Sequence, residues 1–323
     1  MTKIKICRIF KATVPPALLR TWGTFFLYGE FMYPKPPLKY EEQLEKLKKR
    51  GCIINDDKKC ISILESVNYY RLSAYFLPFK LDDGNYKEGL SFERVFSIYE
   101  FDRKLHGILF NALEETEIFL RSKIAYFHAH KYGALGYMDK ANFSVKAELH
   151  ENFIENFKRE IDKNKNILFV KHHIYKYGGE FPIWAASEMF TFGMLSKFFA
   201  NMTCQDRENL SNDIYKTNPK FVGSWLRCCT DLRNICAHYG RLYFRTFSAA
   251  PSGIDNLEEK SKRKLFGAIL SLKKLYPFKD KWNNETLKKL MSLVDEHKSD
   301  IDLEHIGFSY NWIEELKNCN SKI

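Results

Sequence analysis

From Ser91 to about Lys131, apolar side chains return at three- and four-residue intervals. The series runs through Phe92, Val95, Phe96, Tyr99, Leu105, Ile108, Leu109, Ala112, Leu113, Thr116, Leu120, Ile124 and Phe127, and Gly133 closes it. This is helical spacing. It predicts a helix near 40 residues long, and that length predicts a kink or break within it. Ser91-Phe92-Glu93-Arg94 is close to a capping box but lacks the acid at its fourth position.

The flanking sequence follows the same period. Residues 41–50 and 57–67 read as two short helices around a turn at 51–56, with Asp56 or Asp57 as N-cap. An aromatic segment at 68–75 and a turn cluster at 81–85 follow. Further helices are expected over 146–163, from Pro182 to about Ala200, and over 258–276, 283–297 and 311–318. There is no internal repeat, glycine-rich phosphate loop or βαβ alternation, which argues against a nucleotide-binding α/β fold. The expectation is an all-α multi-helix bundle. A smaller N-terminal helical region covers 33–90 and the main domain covers 91–323. Residues 1–32 read as an upstream extension, or as a poorly packed arm, before Tyr33-Pro34-Lys35-Pro36-Pro37.

Lys and Arg number 51 against 40 Asp and Glu, an excess of 11, in a chain of 323 residues. That balance suits a polyanionic partner, nucleic acid or an anionic surface. No run of about 18 apolar residues exists, so no transmembrane helix is expected. The cysteines at 7, 52, 60, 204, 228, 229, 236 and 319 form no C-x-x-C pair. They read as buried reduced thiols of a cytoplasmic protein. His128-Ala129-His130 and His172-His173 lack a carboxylate cluster at ligand spacing, so neither metal nor cofactor is expected.

Asn218-Pro219 starts one more helix, with Asn as cap and Pro in the first turn. Its apolar stripe is Phe221, Trp225, Cys228, Leu232, Ile235, Cys236 and Tyr239, and Gly240 is the expected stop. Arg233, Asn234 and His238 lie along the edge of that stripe. Arg is a planar fork for phosphate oxygens, and His titrates nearest neutrality. With the 2′-OH of RNA as nucleophile, these suffice for metal-free cleavage. Asn234 and His238 share a face, whereas Arg233 and His238 do not point at one another. The motif therefore reads as half a site. Tyr239, Arg241, Tyr243 and Arg245 extend it as a basic, aromatic RNA track. Glu117, Arg121 and His128 form a second constellation. It reads as a surface ion pair with an unrelated His, as a second half-site, or as a group orienting the first.

Ordered blocks along residues 33 to 250 resemble the Abi family of bacterial abortive-infection proteins, of the AbiD/AbiF type. They include Pro37 to Leu44, Leu47 to Ile54, Tyr69 to Tyr75, Tyr99 to Leu105 and Glu114 to Arg121. Pro182 to Glu188, Thr191 to Ser196, Ser224-Trp225-Leu226 and Leu232 to His238 continue the series. The resemblance implies an all-helical HEPN-type fold and a role in phage defence or a toxin–antitoxin pair. It also implies an R-x₄₋₆-H nuclease motif, matched by Arg233, Asn234 and His238, paired with a second copy into one site. Where such proteins usually carry His-Ser-Arg-Leu-Trp-Asn-Arg, this chain has Tyr239-Gly240-Arg241-Leu242-Tyr243-Phe244-Arg245.

The leading expectation is a metal-independent endoribonuclease with RNA and a homodimer partner. The alternatives are a non-catalytic RNA-binding protein and a scaffold whose Arg and His serve as structural caps.

Overall fold

The Ser91 hydroxyl accepts from the Arg94 N–H at 3.2 Å and starts a helix that continues without interruption to Tyr132. The computed structural model describes residues 36–144, 147–254 and 257–317. The expectation for residues 1–32 therefore lies outside the described residues, as do Cys7 and Cys319. The helices are α1 Tyr40–Lys49, α2 Asp57–Ser66, α3 Tyr69–Phe76, α4 Phe92–Tyr132, α5 Ala147–Asn164, α6 Leu168–Lys176, α7 Ile183–Ala186 and α8 Phe192–Asn201. They continue as α9 Cys204–Tyr215, α10 Pro219–Ala237, α11 Glu259–Lys262, α12 Leu265–Leu275, α13 Lys279–Lys281, α14 Lys288–His297 and α15 Trp312–Leu316. A π-helical turn, Trp282–Leu287, joins α13 to α14. Pairing of extended backbone among the described residues is confined to three isolated bridges. The fold is all-α. Among the described residues, one compact unit begins at Leu44, and residues 36–43 fall in a separate one.

The break expected in the long helix is absent: α4 spans 41 residues. Other helices cover it along its length, with α3, α7, α8, α10, α12 and α14 all packing on it. Tertiary burial, rather than propensity, stabilises a helix this long. The single helix expected over 182–200 is two, α7 and α8. The Phe190 carbonyl turns out to accept from Arg121 Nε at 3.0 Å, and Thr191 Oγ1 caps the Met194 N–H. Similarly, 258–276 divides at Arg263 and Lys264 into α11 and α12. Helices α6 and α9 have weaker periodicity and lie outside the sequence expectation.

Helix α10 sits at the centre, against α12, α8, α4 and α9. Its inner side buries Val222, Trp225, Leu226, Cys228, Cys229, Leu232, Ile235 and Cys236. α12 meets it with a nearly all-apolar sequence, the pattern of an interior helix. Both ends of α10 follow local chemistry. Asn218 Oδ1 accepts from the Lys220 N–H at 2.9 Å with Pro219 in the first turn. At the other end, Gly240 N–H donates to Ile235 O and Tyr239 N–H to Cys236 O, a Schellman stop. The left-handed residue in that stop is Tyr239, at φ 53°, and not the expected Gly240.

Candidate functional site

Arg233 leaves the central helix sideways and meets α4. Its Nε lies 3.5 Å from Glu117 Oε2, an ion pair outside hydrogen-bond geometry that leaves this buried N–H without an acceptor. The other Glu117 oxygen accepts from Arg121 at 2.7 Å. Arg121 also approaches Glu188 at 4.0 Å. A chain of alternating charge, Glu188–Arg121–Glu117–Arg233, thus crosses from α7's end to α10. The Glu117 carboxylate is only 9% exposed and faces two guanidiniums, whereas 27% of the Arg233 side chain remains accessible. The structure therefore brings Glu117 and Arg121 to Arg233.

It does not bring His128 there. His128 lies eleven residues beyond Glu117, about 16 Å farther along the helix axis. It is buried between Tyr132, Phe143 and Phe198, with neither ring nitrogen hydrogen-bonded. Burial lowers its pKa to about 4, so it stays neutral at ordinary pH. The constellation expected of Glu117, Arg121 and His128 breaks down because the far end of α4 enters the aromatic core.

The end of α10 presents the other motif residues. Asn234 and His238 are both exposed. His238 is the C-cap, with its N–H donating to Asn234 O at 3.1 Å. A helix C-terminus carries partial negative charge. That opposes a phosphate, so an anion at His238 requires nearby cations to offset the dipole. Arg245 is exposed and its guanidinium passes beside Gly240.

Three expectations about this segment change. Tyr239 is 70% exposed and does not extend the buried stripe, because the left-handed turn rotates it outward. Arg241 turns inward: its guanidinium donates to the Ala74 carbonyl and lies over the Tyr75 ring at 5.9 Å. It binds the protein's own backbone rather than lining the surface. Tyr243 is fully buried, its hydroxyl donating to Asp302 O at 2.9 Å.

Residues that sequence reasoning did not assign hold this segment. Asp102 is completely buried on α4. It accepts from the Tyr75 hydroxyl at 2.6 Å, the Leu242 N–H at 3.1 Å and the Tyr243 N–H at 2.9 Å. Burial pushes its carboxyl above the usual range, against the downward pull of the Tyr75 hydroxyl and His106. Arg71 donates to the Tyr239 carbonyl at 2.9 Å. His106, also buried, has its pKa lowered by burial and opposed by Asp102 and the Gly240 backbone. The signal was present in the Tyr69–Tyr75 and Tyr99–Leu105 blocks, whose polar residues converge only once α3 and α4 pack.

Among the described residues no group of three His, Cys, Asp or Glu could hold a metal ion, and no helix is long and apolar enough to cross a membrane. The buried thiols have raised pKa values through desolvation, to about 12 for Cys52, Cys60 and Cys236 and about 11 for Cys228. Thiolate chemistry near neutral pH is thereby disfavoured at these positions.

An Arg on the flank, an Asn and a His at the helix end, and a buried anchoring carboxylate define a polar site on an all-α scaffold. The chain belongs to the family of Abi-like proteins, whose model matches residues 62–244. Membership implies a part in abortive infection, the bacterial defence against phage. Neither a curated protein nor a solved structure matches the chain.

Proposed function

We propose that this Abi-like protein is a metal-independent endoribonuclease of the HEPN type, with Arg233, Asn234 and His238 forming half of each site. The observation that carries the reading is the division of labour at the end of α10. Glu117 steadies Arg233 on the flank, while Asn234 and His238 stand open to solvent on the neighbouring edge. Arg233 would hold phosphoryl oxygens as negative charge develops on them. His238 would move the proton between the 2′-OH and the leaving 5′-oxygen. Asn234 would orient one of them by hydrogen bonding. The expected ends are a 2′,3′-cyclic phosphate and a 5′-hydroxyl.

Arg233 and His238 are five positions apart, about 140° around the helix and about 7.5 Å along it. One phosphate therefore fits better between two copies of the motif than within one, which supports a homodimer. Ile118, next to Glu117 on α4, is 57% exposed and would contribute apolar area beside such a pairing. Glu117 and Arg121 are assigned the orienting role rather than that of a second half-site, because Arg121 is already engaged by Glu117 and the Phe190 carbonyl.

The test is RNA cleavage in EDTA by the wild-type chain and by Arg233→Ala and His238→Ala. Loss of about 100-fold or more in each is expected for removal of a charge clamp or a proton carrier. Unchanged cleavage in both variants overturns the proposal. RNA binding without new ends would instead favour a non-catalytic RNA-binding protein.

A further inference from the structure

Helix α6 packs one side on the core and leaves bulky side chains exposed on the other. Val170 on its inner side is fully buried, with Phe169 and Ile174 packed against the core. Yet Leu168 and Tyr175 on its outer side are each 85% exposed. Leu168, Lys171, His172 and Tyr175 stand at i, i+3, i+4 and i+7, so they form one outward stripe. All four are exposed.

Between Asp162 and Glu180 the charged side chains are all lysines. No Asp or Glu occurs from Lys163 to Gly179, a stretch that carries Lys163, Lys165, Lys171 and Lys176. Lys163 pairs with Glu160. Among the described residues, no carboxylate lies within ion-pair distance of Lys165, Lys171 or Lys176. After the helix, Gly178 and Gly179 take φ values of 63° and 85° and reverse the chain. Tyr177, 48% exposed, is braced against His172 and His173 at ring separations of 5.5 and 5.2 Å. Lys176 lies over its ring at 5.4 Å.

We propose that the outward stripe of α6, with Tyr177 after it, binds an unpaired stretch of RNA. The open ring of Tyr175 accepts an unstacked base, and lysines without a carboxylate partner beside it neutralise phosphates. A duplex keeps its base faces stacked and cannot use Tyr175. An acidic protein groove is the competing occupant, and the arrangement favours RNA because the rings alternate with lysines rather than merging into an apolar patch. The inference rests on the reading that this chain acts on RNA, but it places a binding surface on α6, away from Arg233 and His238.

The experiment is fluorescence anisotropy with the full chain in EDTA. The probe is a labelled 2′-O-methyl oligouridine, which lacks the nucleophile for cleavage, and it is compared with a hairpin duplex of equal length. The wild type should prefer the single strand. Tyr175→Ala should weaken it at least about fivefold, the lower range for one base–aromatic stack, while Tyr175→Phe stays within about twofold. Lys171→Gln with Lys176→Gln should flatten the slope of log affinity against log salt by about 1.4, two contacts at ~0.7 each. No binding by wild type, equal affinity and slope in every variant, or preference for the duplex would overturn the proposal. So would a change in self-association by light scattering with RNA affinity untouched, which would make α6 a protein-docking face. If Tyr175→Ala binds like wild type while Arg233→Ala and His238→Ala lose cleavage, the α6 surface falls and the nuclease reading stands. The converse pattern separates them the other way.

Discussion

Asp102 is the carboxylate on which the geometry of the motif's downstream segment depends. It is fully buried and receives three donors: the Tyr75 hydroxyl and the Leu242 and Tyr243 N–H groups. Asp102→Ala strands all three away from water. Each buried donor without an acceptor costs about 1–3 kcal/mol. Partial relaxation makes the total smaller than the sum, so about 3–5 kcal/mol is expected, a large share of the 5–15 kcal/mol that typical domains possess. Asp102→Asn keeps the volume and one acceptor oxygen. Its amide nitrogen must face at least one donor, so it should cost about 1–3 kcal/mol. Equilibrium urea unfolding, followed by circular dichroism, reads both values. A cost below about 1 kcal/mol for Asp102→Ala with an unchanged denaturant slope would refute this account of how residues 240–243 are held.

His128 makes stability pH-dependent. Its folded pKa is about 4 against an ordinary value of 6.5. The unfolded chain binds the extra proton, so the contribution is fully present above about pH 6.5 and is lost as pH falls towards 4, about 3 kcal/mol in all. His128→Phe should flatten the unfolding free energy over that window; an unaltered profile would contradict the burial argument. At Tyr239, the left-handed backbone strains a side chain that is mostly exposed. Tyr239→Gly should therefore raise stability by up to about 1 kcal/mol, measurable as a higher urea midpoint. Leu226→Ala, at a fully buried position on the central helix, should cost about 2–5 kcal/mol. Glu117→Gln should leave the fold in place but reduce RNA cleavage more than Glu188→Gln, because only Glu117 contacts Arg233; equal effects would argue against the orienting role.

The helical class and the ends of the major helices were legible because they depend on local chemistry. Asp56, Ser91 and Asn218 act through their own side chains within three residues. The sequence pattern failed where tertiary contacts decided. Continuity of α4 depends on the helices stacked along it, and the split between α7 and α8 depends on Arg121 reaching Phe190 O across 69 residues. The same holds at the site. Arg233, Asn234 and His238 could be placed on an edge from spacing alone. Arg241, two residues beyond the left-handed turn, looked like a surface cation but is drawn under Tyr75. The ion pair from Glu117 to Arg233 joins positions 117 and 233, and no periodicity along one helix could reveal it.

The proposed chemistry has Arg233 and His238 cleave RNA through its own 2′-OH. Mass spectrometry of the ends made by purified protein in EDTA tests it most directly. Attack by the 2′-OH leaves 2′,3′-cyclic phosphate and 5′-hydroxyl ends, which should disappear in His238→Ala. Ends bearing a 3′-hydroxyl and a 5′-phosphate, or cyclic ends produced equally by His238→Ala, would contradict it.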